Sequence, residues 1–289
     1  MSTLKLRESL GLENQEQSGL SRRAFFKQAT ILGATAAAAG TILTPAASAL
    51  SSRRGDSDDD TPQANTLAAG DKAILIAAEI AEALAVTTYM HIIKRSPFFK
   101  RIPDDDQNYL EGALQEEMSH YALEQSVTNE NTPFDEFFYP KNMFEDTQTT
   151  LNTLVTLEDA FIAAYLVGVR NFSSTALRVT AARIMGIESD HRTLARVIGP
   201  DVARRDGGPI TFITGAQGFS ESVAPPNNNG YERTLCWTDI SQAVTALTPF
   251  VDKDAAASAG FDTAKFYKFK PFTPTLPNPH GDFFSFGGC

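Results

Sequence analysis

Apolar and small residues recur at helical spacing along four long stretches in the middle of this chain. In the first, Ile74, Ala77, Ala78, Ala81, Leu84, Ala85, Thr88 and Ile92 follow one another at the intervals of a helix with a buried face. Asp71 stands where it can cap that helix, and Ser96-Pro97 closes it after Arg95. A second helix is expected from Pro103-Asp104 to about Thr128, with Asp104, Asp105 and Asp106 favouring the positive end of its dipole. A third runs from about Asp146 to Asn171. A fourth is capped by Ser173 or Ser174 and ends at Gly199-Pro200. Each is near 25 residues, roughly 37 Å at 1.5 Å per residue. The first and second helices are joined by a short connection, as are the third and fourth, so each pair should be antiparallel. The longer stretch Asn129 to Glu145, holding Pro133, Pro140 and several aromatics, suits a crossover along the bundle. The pattern predicts an all-α four-helix bundle over residues 71–199.

The flanks read differently. Ser21-Arg22-Arg23-Ala24-Phe25-Phe26-Lys27 resembles the twin-arginine export signal, and a weakly apolar run follows from Ala29 to Leu43. Ala47-Ser48-Ala49 offers a small-residue cleavage site, so residues 1–49 are expected to be a signal peptide and the mature chain to start at Leu50. The other reading is a membrane anchor, but the run is shorter than the ~20 apolar residues that span a bilayer. No other stretch reads as long and apolar enough to span one. The twin-arginine route resembles a system that moves folded proteins, which implies a periplasmic or extracellular location and the export machinery as a partner. Residues 50–70 carry Asp56-Ser57-Asp58-Asp59-Asp60 and read as a flexible acidic leader. Residues 200–289 are rich in Gly, Pro, Asn and Phe. One short helix is expected there, Thr238 to Leu247, followed by an aromatic arm, Phe261 to Phe286, packed over the bundle or over a second copy of the chain.

Removal of the signal leaves about 240 residues, enough for one domain with a large core and a tail. The net charge of −10 argues against a nucleic-acid surface, and no basic patch with interleaved aromatics stands out. Cys236 and Cys289 are either a disulfide or two thiols.

Chemistry enters with the acids. Glu117-Met118-Ser119-His120 and Glu188-Ser189-Asp190-His191 place a carboxylate and an imidazole three residues apart, on one helix face. Only four histidines are present, and two fall in these motifs. Each motif follows a helix with an acid in an apolar run, at Glu82 and Glu158. Acid, Glu-x-x-His, acid, Glu-x-x-His is the order in which a four-helix bundle holds two metal ions. Glu82 with Tyr89 and Glu158 with Tyr165 repeat the same seven-residue spacing, as in a duplicated hairpin. On that ground Glu82 is chosen over Glu79, and Glu116 is a weaker alternative to Glu117. Four buried carboxylates need counter-charge, and two divalent ions supply it. Oxygen and imidazole donors suit iron first and manganese next; zinc would also bind. Tyr89 and Tyr165 are read as core aromatics, with hydrogen bonds to the acids as the alternative. His91 and His280 have no such partners and are given no metal role.

With these residues in this order the chain resembles the ferritin-like superfamily, most closely exported ferritin-like domain proteins with twin-arginine signals. Glu82 and Tyr89 match that family's first-helix pattern, while Ala85 and Thr88 depart from it. The resemblance implies a dinuclear metal protein with ligands Glu82, Glu117, His120, Glu158, Glu188 and His191. Glu117 and Glu188 would be the bridging carboxylates, and the substrate would be dioxygen, peroxide or ferrous iron. If the protein is an enzyme, it is an oxidoreductase of peroxidase, catalase or oxidase type. The alternative is a cell-envelope structural or stress-related binding protein that keeps the bundle without catalysis, the aromatic arm serving as its working surface or joining homo-oligomers. No nucleophile elbow or phosphate-binding glycine loop points to a hydrolase.

Overall fold

The structure, a computed structural model, describes residues 67–206 and 235–275, the side chains of 199–206 excepted. The expected signal peptide, most of the acidic leader, His280 and Cys289 lie outside the described residues. Four long helices carry the fold: α1 (Ala69–Arg95), α2 (Asp104–Thr128), α3 (Thr147–Asn171) and α4 (Thr175–Asp206). Two shorter ones follow, α5 (Ile240–Val251) and α6 (Lys253–Ser258). A two-stranded antiparallel ribbon pairs β1 (Glu136–Phe137) with β2 (Tyr267–Lys268). This is the all-α bundle that the apolar spacing predicts.

Side-chain pairings fix the helix directions. Glu79 of α1 meets Thr128 of α2, so these two run in opposite senses. Tyr89 of α1 reaches Glu158 of α3, and Tyr165 reaches back to Glu82, so α3 also opposes α1. With α2 and α3 both opposed to α1, the chain must return along the bundle between them, and residues 129–146 do so. Asn129, at φ 55°, ends α2 in the left-handed conformation that asparagine tolerates. The crossover is held by its aromatics: Phe137, Tyr139 and Phe144 are buried, and the Tyr139 ring packs edge-on against Phe144, Phe250 and Tyr267. The aromatic arm therefore lies on its own bundle as far as it is described. Its alternation is that of a strand, with Phe269 buried and Phe266 exposed.

Four local expectations are corrected. Asp71 does not cap α1, which begins two residues earlier, so the leader ends before residue 69. Asp71 is buried and accepts hydrogen bonds from the Ser173 amide (2.9 Å) and hydroxyl (2.5 Å), tying the start of α1 to the α3–α4 turn. Asp71→Ala should lower stability by about 1–3 kcal/mol in urea denaturation, because it strands a donor that is otherwise satisfied. Second, α4 continues through Gly199-Pro200 to Asp206. A proline removes only its own N–H from the helical ladder, so it makes a stop common rather than obligatory. Third, the expected helix at 238–247 is α5, which begins under a capping box from Asp239 and Gln242 and runs past Pro249 to Val251. Fourth, α1 and α3 are each long and apolar enough to cross a membrane by length and composition, although most of each apolar stretch is buried inside the bundle. Their apolarity is that of core helices enclosed on nearly all sides.

Helices α3 and α4 approach closely at Gly168, where an added Cβ would lie 2.8 Å from the Phe172 ring and 3.3 Å from Ala181.

Candidate metal centre

Each long helix sends a buried acid into the bundle axis. Glu82 comes from α1, Glu117 and His120 from α2, Glu158 from α3, and Glu188 and His191 from α4; all six are buried. They form two overlapping groups. Glu82, Glu117, His120 and Glu188 offer donor atoms within 4.8 Å of one another, as do Glu117, Glu158, Glu188 and His191. Glu117 and Glu188 belong to both. Glu79, held in reserve in the sequence reading, belongs to neither, nor does Glu116.

The contacts between these groups are close. His120 Nδ1 lies 3.1 Å from Glu188 Oε1, 3.6 Å from Glu82 and 3.8 Å from Glu117. His191 Nδ1 lies 2.8 Å from Glu117 Oε1 and 3.4 Å from Glu188. Yet Glu82 Oε2, both oxygens of Glu117 and Glu188, Glu158 Oε2 and both Nδ1 atoms are buried with no aligned hydrogen bond. Buried polar atoms are ordinarily satisfied, and leaving one orphaned costs about 1–3 kcal/mol. Lone pairs that converge without facing a donor fit a cation between them. Hard oxygen and borderline nitrogen donors, with no thiolate, fit a divalent first-row metal.

The charges agree with that fit. Burial and the charges of Glu117 and Glu188 push Glu82 and Glu158 well above the usual carboxylate range. Burial works the same way on Glu117, but His191 and His120 outweigh it and hold Glu117 well below that range. Burial also disfavours charge on the two imidazoles. It is overcome by Glu82, Glu117 and Glu188 around His120, and by Glu117, Glu116 and Glu188 around His191, so both lie well above the usual histidine range. Protons alone thus crowd into the cluster as counter-charge, on the groups a cation would use.

A surrounding layer orients these groups. Tyr89 donates to Glu158 Oε1 at 2.6 Å, and Tyr165 donates to Glu82, each crossing to the opposite helix of the pair. The tyrosines are therefore hydrogen-bond donors to the acids, the reading set second in the sequence. Glu116 Oε2 meets His191 Nε2 at 2.8 Å, which turns Nδ1 toward the cluster. Beside the cluster Arg192 pairs with Asp159 at 2.9 Å, both buried.

Glu124 was missed. It is buried, its Oε1 lies 2.7 Å from the Tyr165 hydroxyl that Glu82 also contacts, and its Oε2 has no partner. Its spacing carried a signal: seven residues after Glu117 and four after His120 place it on their face of α2. Glu79, fully buried, accepts from Thr128 and is pushed up to about 7, chiefly by burial, against that hydrogen bond. Because its pKa in the fold exceeds the 4.5 of the free group, its stabilising contribution is complete below pH 4.5 and is lost as pH rises through 7. Glu79→Gln keeps an acceptor for Thr128 and cannot ionise. It should raise stability at pH 8 by up to about 3 kcal/mol, flatten the decline between those pH values, and change little at pH 4, read by urea denaturation at matched metal content.

In comparisons with known proteins, residues 70–198 match the family model of a ferritin-like domain. No curated protein and no solved structure gives a match.

Proposed function

We propose that this chain, whose residues 70–198 match the family model of a ferritin-like domain, is an exported dinuclear metal protein. Its ions are iron or manganese, and it carries out redox chemistry on dioxygen, peroxide or ferrous iron. The observation that carries the proposal is the convergence, in the bundle core, of buried donor atoms that no hydrogen bond satisfies. When bound, the two cations supply reversible electron transfer and open positions for a small oxidant.

The chain's own residues do the rest. Glu117 and Glu188, common to both groups, would be shared by the two ions, with Glu82 and His120 serving one and Glu158 and His191 the other. Tyr165 and Tyr89 fix the outer carboxylates, and Glu116 fixes the His191 ring. Nearly complete burial of the acids keeps bulk water from the ligand oxygens. Glu82, Glu158, His120 and His191, all shifted toward their protonated forms, would have to release protons to hold a cation, so metal affinity should rise with pH. The Arg22-Arg23 motif and the Ala47-Ser48-Ala49 site support export, by which the mature protein would reach the periplasm or the outside of the cell.

The test is elemental analysis of protein recovered from the export compartment, followed by peroxide-decomposition and ferrous-oxidation assays. Roughly two ions per chain and either activity support the reading. Fewer than about half an ion per chain after careful loading would count against it. Whole-cell function that survives Glu82→Ala and His191→Ala but not truncation before Phe261 would favour the envelope binding role instead.

A further inference from the structure

A groove of about 600 Å³ opens between the last turns of α1 and the segment carrying β2, and none of the six candidate metal ligands lines it. Its walls are cationic on a chain whose net charge is −10: Lys94 and Arg95 stand on one side, and Lys265, Lys268 and Lys270 on the other. Residues 265–270 read Lys265-Phe266-Tyr267-Lys268-Phe269-Lys270, a basic stretch interleaved with aromatics. The expectation that no such patch exists is therefore corrected. Net charge averages over the chain, and the fold brings residues 94–95 beside 265–270.

Two of the five cations have acid partners on the rim. Lys265 lies 3.5 Å from Asp262 and Lys268 3.4 Å from Asp135. Lys94, Arg95 and Lys270 have no carboxylate at ion-pair distance among the described residues. Their convergence registers on His91, half-buried at the same groove: burial and then Arg95, Lys94 and Lys270 drive its pKa down to about 4, so the ring stays neutral. Lys94 and Arg95 also complement the negative end of α1, which is an ordinary structural role. That role does not extend to Lys270, which belongs to another segment. The groove also has an apolar side. Arg95 lies over the Tyr267 ring at 5.4 Å, the His91 ring packs edge-on against Tyr267 at 4.8 Å, and Phe266 is 55 % exposed beside them.

We propose that this groove binds an organic phosphate, its charge met by Lys94, Arg95 and Lys270 and its ring or chain lying against Tyr267 and Phe266. Cations gathered in a concave, low-dielectric surface focus their field on an anion. The guanidinium fork matches phosphate oxygens in pairs. The volume is that of a small-ligand site, typically about 300–1,000 Å³. The phosphate can belong to a soluble ester or to a phospholipid headgroup, and the ligand chemistry is the same in both.

The test uses the full mature chain, whatever its metal content, and two probes: phenyl phosphate in solution, and vesicles of phosphatidylglycerol in phosphatidylcholine. Saturable one-to-one binding of phenyl phosphate identifies a soluble ester; binding to the vesicles alone identifies a headgroup. Lys94→Glu with Lys270→Glu should weaken whichever binding occurs by about tenfold or more, with metal content and helical circular dichroism unchanged. Lys100→Glu, at an exposed cation outside the groove, should leave it unchanged. If the double variant fails to fold, Arg95→Gln alone carries the test and should weaken binding about fivefold or more. Failure of both probes to bind the native chain would overturn the proposal, as would binding that the groove variants leave intact or that Lys100→Glu weakens equally. None of these results depends on the acidic cluster holding metal.

Discussion

Replacing Glu117 with alanine should remove paired metal binding, taking content after reconstitution from roughly two ions per chain to below about one. Glu117 belongs to both donor groups, and His191 Nδ1 approaches it at 2.8 Å. Removing it takes an acid from both ions at once, whereas Glu82 and Glu158 each belong to a single group. Glu82→Ala should therefore cost one ion more than the other. Glu117→Gln is the sharper variant, since it keeps the shape of the side chain and removes only the charge. Glu111→Ala, at an exposed acid on the same helix, should bind like the native chain. Elemental analysis of the variants beside the native protein, all loaded identically with manganese, reads the difference. Native-like binding by both Glu117 variants would remove the basis for treating the two groups as one centre.

Asp159→Ala should destabilise the fold by about 3–5 kcal/mol, because it leaves the Arg192 guanidinium buried without its carboxylate. The pair joins α3 to α4 at 2.9 Å, and both side chains are at most 6 % exposed. Each member is the next residue after a proposed ligand, Asp159 after Glu158 and Arg192 after His191. For a domain of this size the loss corresponds to a melting temperature lower by roughly 10 °C. Asp159→Ala combined with Arg192→Met removes both charges and should recover much of that loss, since an apolar pair can replace a buried ion pair at little cost. Thermal unfolding at matched metal content distinguishes the two. A single variant within about 1 kcal/mol of the native chain would show that Arg192 finds sufficient compensation elsewhere.

The four long helices were legible because their apolar spacing persists over many turns, and the six acids and imidazoles because two of them recur at three-residue spacing. The Glu82–Tyr89 and Glu158–Tyr165 echo was also legible as a repeat. Its meaning required the antiparallel placement of α1 and α3, which lets each tyrosine reach the other helix's acid. Glu124 was missed because it lies outside any motif, though it shares a helix face with Glu117. Asp71 misled because an aspartate near a helix start usually caps it, while here Ser173, distant in sequence, claims the carboxylate. Gly199-Pro200 misled in the same way: a local breaker signal yielded to a continuing helix. The cationic groove was legible only in part: the basic, aromatic run Lys265 to Lys270 stands in the sequence and was passed over, but its partner wall is remote. Its two walls are separated by about 170 residues of chain, and no local pattern announces that they meet.

Anomalous diffraction from crystals of the metal-loaded mature chain, collected at the absorption edge of the loaded metal, tests the central claim most directly. Two peaks are predicted on the bundle axis, about 3.5–4 Å apart, one among Glu82, Glu117, His120 and Glu188 and the other among Glu117, Glu158, Glu188 and His191. A core without peaks after loading, or peaks confined to surface acids, would contradict it.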